Sequence, residues 1–159
     1  MYNANIKTIP HPDQRYDTLG DYYTEGGVIQ FRVSSLANND YEFLIALHEL
    51  IEKQLAKKMG ITEQMIDAWD LTHEDEEEPG ALEGCPYRDA HMIAEGIERV
   101  VATKLGVDWD HYEKTCREVI AMHLPPEDLT QPEKPRPGLG RREKIPTGKV
   151  RQRSVLRGR

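Results

Sequence analysis

Apolar and polar positions alternate from Val28 to Ser34, with Ile29, Phe31 and Val33 on one side and Val28, Gln30 and Arg32 on the other. This is the two-residue period of a half-buried strand. Tyr22-Tyr23 precedes it, and the intervening Thr24-Glu25-Gly26-Gly27 carries the glycine pair that a tight hairpin turn favours. A short strand over residues 5–9 joins this β-prone region. From residue 39 the period becomes helical. Asn39 is the expected N-cap and Glu42, three positions on, completes a capping box. The periodic segment ends at Met59, and Gly60 suits the position just past a helix end. Thr62 caps a short second helix reaching Trp69, and residues 71–84 read as a loop. Pro86 can open a third helix at its first position, running to Leu105 and Gly106. Asp108 caps a fourth, from 109 to about 122, and Pro125-Pro126 ends regular structure. The pattern predicts an α+β domain over residues 1–123, in which a short N-terminal β-hairpin packs on three or four helices.

The helical faces carry an anomaly. At 100° per residue, His48 and Glu52 lie about 40° apart, on the stripe otherwise made by Leu44, Ile51, Leu55 and Met59. Glu49 falls at the edge of that stripe, and Lys53 and Lys57 face the opposite, solvated side. The third helix repeats the pattern. Tyr87, Ala94, Val101, Ala102 and Leu105 mark its apolar face, His91 and Glu98 fall inside it, and Glu95 lies at the edge. A buried carboxylate without a partner costs several kcal/mol. Two such helices packed face to face therefore need pairing among their polar groups, or a cation. A divalent metal is the economical choice, with His48, Glu52 and His91 as ligands, Glu95, Glu98 and Arg88 as further ligands or supporting groups, and Glu49 as general base. Imidazole and carboxylate suit zinc first, with iron and manganese as alternatives. A hydrogen-bonded His–Glu network holding no metal is the competing explanation. Asp70, His73 and the run from Glu74 to Glu78 read as a solvated loop. His111 and His123 have no expected catalytic role, and Trp109 and Tyr112 read as core.

Charge divides the chain of 159 residues. Its net formal charge is −7, yet residues 134–159 hold ten Lys/Arg against one acidic residue, while residues 1–133 hold eleven basic and 27 acidic ones. The segment 124–159 has six prolines, four glycines and no aromatic residue. Such a composition buries too little surface to offset its ordering entropy, so a disordered or extended tail is expected. Arg141, Arg142, Lys144, Lys149, Arg151, Arg153, Arg157 and Arg159 are its candidate contacts to nucleic acid or an acidic protein, a salt-sensitive attachment. The longest uninterrupted apolar run is the five residues from Phe43 to Leu47. A bilayer span needs about 20, so no membrane partner is expected. Cys85 and Cys116 form no CxxC pair, which argues against a disulfide framework and for a reducing compartment.

Three resemblances bear on function. His48-Glu49-Leu50-Ile51-Glu52 resembles the zincin metallopeptidase motif His-Glu-x-x-His, with Glu52 in place of the second histidine. The resemblance implies His48 and Glu52 as metal ligands, Glu49 as general base and a peptide substrate aligned by the strand Val28–Ser34. The blocks Ile9-Pro10-His11-Pro12, residues 14–21, the His48 helix, residues 86–91 and Gly106-Val107-Asp108-Trp109 resemble a family of small phage-encoded proteins without an assigned activity. That resemblance implies the cytoplasm of an infected bacterial cell, or association with a virion. In this reading residues 14–21 pack over the site, where Arg15 or Arg88 can neutralise a buried carboxylate. Paired Glu-x-x-Glu motifs, at Glu49/Glu52 and Glu95/Glu98, resemble all-α nucleoside triphosphate pyrophosphatases, although 42 residues between Glu52 and Glu95 exceed that pattern's spacing. The functional expectation is a zincin-like metal-dependent hydrolase. The alternatives are a non-catalytic phage protein acting through its basic tail, and a metal-dependent nucleotide pyrophosphohydrolase.

Overall fold

The computed structural model describes residues 2–73, 76 and 78–123. The eight basic tail residues from Arg141 to Arg159 lie outside the described residues, and so do Glu74, Asp75 and Glu77. Three strands, β1 (Ala4–Ile9), β2 (Gly20–Glu25) and β3 (Val28–Ser34), form one sheet in the order β1-β3-β2. Four helices follow: α1 (Asn39–Met59), α2 (Glu63–Asp70), α3 (Arg88–Leu105) and α4 (Trp109–His123). The expected α+β architecture is present. β2 and β3 form the hairpin, antiparallel with Tyr22 opposite Phe31. Gly26 and Gly27 both take the positive φ (57° and 77°) that the tight turn requires. β1 pairs with β3 in parallel, Ile6 opposite Phe31. No helix among the described residues is long and apolar enough to cross a membrane.

Several boundaries differ from expectation for local reasons. The cap of α1 is Asn38, whose side chain accepts from the backbone N–H groups of Asp40 (3.0 Å) and Tyr41 (3.3 Å). Glu42 does not close a capping box; it reaches further back and accepts from the Leu36 N–H at 3.0 Å. Gly60 ends the helix in the left-handed conformation, φ 79°. Thr62 caps α2 as its sequence indicates, accepting from Met65 N–H. Pro86 stays outside α3. Arg88 N–H bonds to Cys85 C=O, so Pro86 and Tyr87 occupy a turn and the helix begins at Arg88.

Two apolar clusters hold the elements together. One gathers Val33, Leu36, Tyr41, Leu44, Ile45, Ala46, Ala102 and Tyr112. The other gathers Tyr22, Phe31, Ala56, Ile66, Cys85, Tyr87 and Ala90. Phe31 and Leu44 are fully enclosed. α1 and α3 run antiparallel, since Ala102 packs with Leu44 and Ile45 at one end while His91 meets Glu52 towards the other. Each helix contributes to both clusters, α1 through 41–46 and then Ala56, α3 through Ala102 and then Ala90. Between the two clusters the seam is polar. Two face assignments are corrected. Lys53 is buried, not solvated, because its ammonium pairs with Glu63 at 2.6 Å and sits 4.7 Å above the Tyr22 ring. Met59 and Leu105, expected on apolar faces, are exposed at the last turns of their helices.

Candidate metal centre

The polar interval of the α1–α3 seam contains His48, Glu52, His91 and Glu98. His48 and Glu52 share a face of α1 one turn apart, and His91 and Glu98 lie two turns apart on α3. His48 Nε2 approaches His91 Nδ1 to 3.1 Å and Glu52 Oε2 to 3.5 Å; His91 Nδ1 lies 3.0 Å from Glu52 Oε2. These three atoms form a compact triangle, and the three residues make a group that can hold a metal ion. Zinc bound to nitrogen and oxygen at about 2.0–2.1 Å in tetrahedral geometry separates its ligand atoms by about 3.3 Å. The observed edges bracket that value. Two imidazoles and one carboxylate also leave a fourth position for water or substrate.

The surroundings fix the triangle. His48 Nδ1 faces Glu98 Oε2 at 2.9 Å, and the other Glu98 oxygen accepts from Tyr112 O–H at 2.5 Å. Glu98 is placed to hold a proton on Nδ1, so that with a metal bound Nε2 would offer its lone pair toward the space shared with His91 and Glu52, as supporting carboxylates arrange for metal-binding histidines. Glu52 Oε1 accepts from Tyr22 O–H at 3.4 Å. Glu49 stands on the sheet side of α1, so close to Gly20 that a β-carbon at that position would overlap its carboxylate. Gly20 therefore gives Glu49 its room. Asp70, at the end of α2, accepts from Tyr87 O–H at 2.5 Å.

Electrostatics show what the cluster lacks. Burial alone disfavours an imidazolium at His48, yet hydrogen bonds to Glu52 and Glu98 outweigh it and push its pKa up to about 10. Burial raises Glu52 too, but the hydrogen bonds from His48 and His91 prevail and hold it below the ordinary carboxylate value. Glu49 is pushed up to about 8, by burial first and then by the charge of Glu52, with His48 pulling the other way. Burial also raises Asp70, against the Tyr87 hydrogen bond and with help from Glu52 and Asp67. Three carboxylates, Glu49, Glu52 and Glu98, act on His48, and a positive charge among them is favoured, whether carried by His48 or by a bound cation.

The seam opens into a cleft of about 690 Å³, within the range of small-molecule sites. Residues 15–22 form one wall, so the segment expected to pack over the site does line it, with its last residues belonging to β2. Arg15 does not neutralise a site carboxylate. Its guanidinium binds Asp21 through two contacts of 2.7 and 2.8 Å and lies 4.3 Å over Tyr23. Arg88 faces away, donating to Ala81 C=O at 2.9 Å. Glu95 lines the cleft but pairs with Arg99 at 2.7 Å and stays out of the triangle. His73 stacks on Trp69, with ring centroids 3.9 Å apart, instead of approaching the site. His111 Nδ1 meets Tyr41 O–H at 2.8 Å.

Sequence reasoning missed Tyr22, Asp70, Tyr87 and Tyr112 as partners of the site. Tyr112 is buried as expected for a core residue, but its hydroxyl serves Glu98. A buried tyrosine hydroxyl needs a partner, and that was the available signal; the partner's identity was not. Compared with known proteins, the chain matches no family model, no curated protein and no solved structure.

Proposed function

We propose that the protein is a metal-dependent hydrolase, with zinc held by His48 Nε2, His91 Nδ1 and Glu52 Oε2. The observation that carries this reading is the triangle of donor atoms, 3.0 to 3.5 Å on each edge, inside an open cleft. A bound zinc would polarise a water and lower its pKa toward neutrality. Glu49 takes the proton of the attacking water and returns it to the leaving group as the scissile bond breaks. In the metal-free chain burial keeps a proton on Glu49 up to about pH 8; a bound cation would lower that value and free the carboxylate to act as base near neutral pH. Glu98, backed by Tyr112, orients His48. A peptide bond is the first substrate to examine, by the resemblance of His48-Glu49-x-x-Glu52 to the zincin motif.

The competing reading keeps the cluster as a polar core of a non-catalytic protein. It rests on the same contacts, because an imidazolium at His48 satisfies Glu52 and Glu98 without any ion. Metal content separates the two. Purified wild-type protein should carry near-stoichiometric zinc, iron or manganese by mass spectrometry, and the double variant His48→Ala/His91→Ala should carry none. Wild-type protein that takes up no metal when any of the three is supplied would falsify the hydrolase reading. With metal in place, Glu49→Gln should retain it and lose turnover. Pyrophosphate release from nucleotides with magnesium would instead favour the pyrophosphohydrolase.

A further inference from the structure

The outer face of α3 presents apolar side chains to solvent. Ile93, Ile97 and Val100 are 46%, 37% and 64% exposed. With Asp89, Gly96 and Lys104 they fall in one sector of about 100° on the helix, roughly 130° from the buried face of Ala90, Ala94, Glu98 and Ala102. None of these six outer residues lines the cleft. An exposed glycine in mid-helix is also costly relative to alanine. A β-carbon at Gly96 would meet nothing, so nothing within the chain requires glycine there.

We propose that this stripe is the contact surface of a homodimer in which two copies of α3 pack antiparallel about a two-fold axis. The stripe is self-complementary in that arrangement. An axis between Gly96 and Ile97 brings Ile97 of each copy onto Gly96 of the other, a large side chain into the space a glycine leaves. Ile93 then lies level with Val100. At the two ends, Asp89 of one copy lies level with Lys104 of its partner. Asp89 and Lys104 are exposed, and neither enters an ion pair with another described residue of its own chain. They stand 15 positions apart on one helix, about 22 Å, too far to pair with each other. Apolar residues at the centre with opposite charges at the ends form an isologous contact, the commonest kind in soluble oligomers. A single helix pair is at the small end of interface sizes, so the dimer is concentration-dependent.

Sedimentation velocity on the full chain tests this, from low to high micromolar concentration. Wild type should pass from monomer to dimer, and Val100→Glu should remain a monomer with an unchanged circular dichroism spectrum. The decisive experiment mixes two charge variants. Asp89→Lys alone places lysine against lysine at both ends, and Lys104→Asp alone places aspartate against aspartate. Each should dimerise about tenfold more weakly than wild type. Mixed in equal amounts they restore opposite charges at both ends and should form a heterodimer about as tight as wild type, weakening as salt rises. A wild-type chain that stays monomeric throughout overturns the proposal, whatever other partner covers the stripe. So does a dimer indifferent to Val100→Glu, or a mixture that associates no better than its components.

Discussion

Replacing Glu49 with glutamine should make the metal-free protein more stable at alkaline pH, although it removes the expected catalytic base. The Glu49 carboxyl titrates at about 8 in the folded chain, against 4.5 for the ordinary group. Between those values the folded state holds a proton that the unfolded state has released, so stability falls as pH rises through the window. Taken whole, a displacement of this size corresponds to about 5 kcal/mol. The carboxylate is partly reached by solvent from the cleft, so about 2–3 kcal/mol is the expected effect after screening. Glutamine fills the same space and carries no titrating charge. In chelator-treated protein the variant and wild type should be nearly equal at pH 4.5. By pH 8.5 the variant should be ahead by about 2–3 kcal/mol, or roughly 10 °C in Tm. His48 adds a slope of its own, because its contribution is complete below 6.5 and lost as pH rises through about 10; most of it cancels in the comparison. Zinc should shrink the gap, since a nearby cation stabilises ionised Glu49. Urea unfolding at three pH values, with and without metal, measures all of this. A variant less stable than wild type at pH 8.5 without metal would refute the assignment of Glu49 as a buried, uncompensated carboxyl.

Other outcomes follow from the same geometry. Glu98→Gln should weaken metal binding about 10- to 100-fold in chelator competition, because the His48 Nδ1 proton loses its charged acceptor. Gly20→Ala should lower turnover while leaving metal content intact, since the three nearest atoms the added methyl meets all belong to Glu49. Phe31→Ala should cost about 3–5 kcal/mol in denaturant unfolding, as expected for emptying a fully enclosed aromatic site.

Much of this protein is legible in its sequence wherever the cause is local. The alternation around Phe31, the glycine pair at 26–27, Thr62 as a cap and Gly60 and Gly106 as helix ends each act within a few residues, and each stands in the structure where the pattern puts it. The polar residues on apolar stripes were equally visible, because helical periodicity alone puts His48 beside Glu52 and sets His91 and Glu98 on the inner face of α3. Tertiary packing decided the rest. The antiparallel approach of α1 and α3 set which nitrogen of His48 faces Glu98 and which faces His91 and Glu52. It left Glu95 to Arg99 and Arg88 to a backbone carbonyl. The positions of β2 and α2 against α1 buried Lys53, which periodicity alone assigns to solvent, and supplied Tyr22 and Glu63 as its compensation. The parallel pairing of β1 with β3 likewise depends on strands that are not sequence neighbours. Local pattern specifies which face of an element is apolar. Only the arrangement of elements in space decides which charge meets which partner: the contacts that build the triangle between α1 and α3, and the Tyr22–Glu52 contact, join residues 30 to 50 positions apart, and their energies fall steeply with distance.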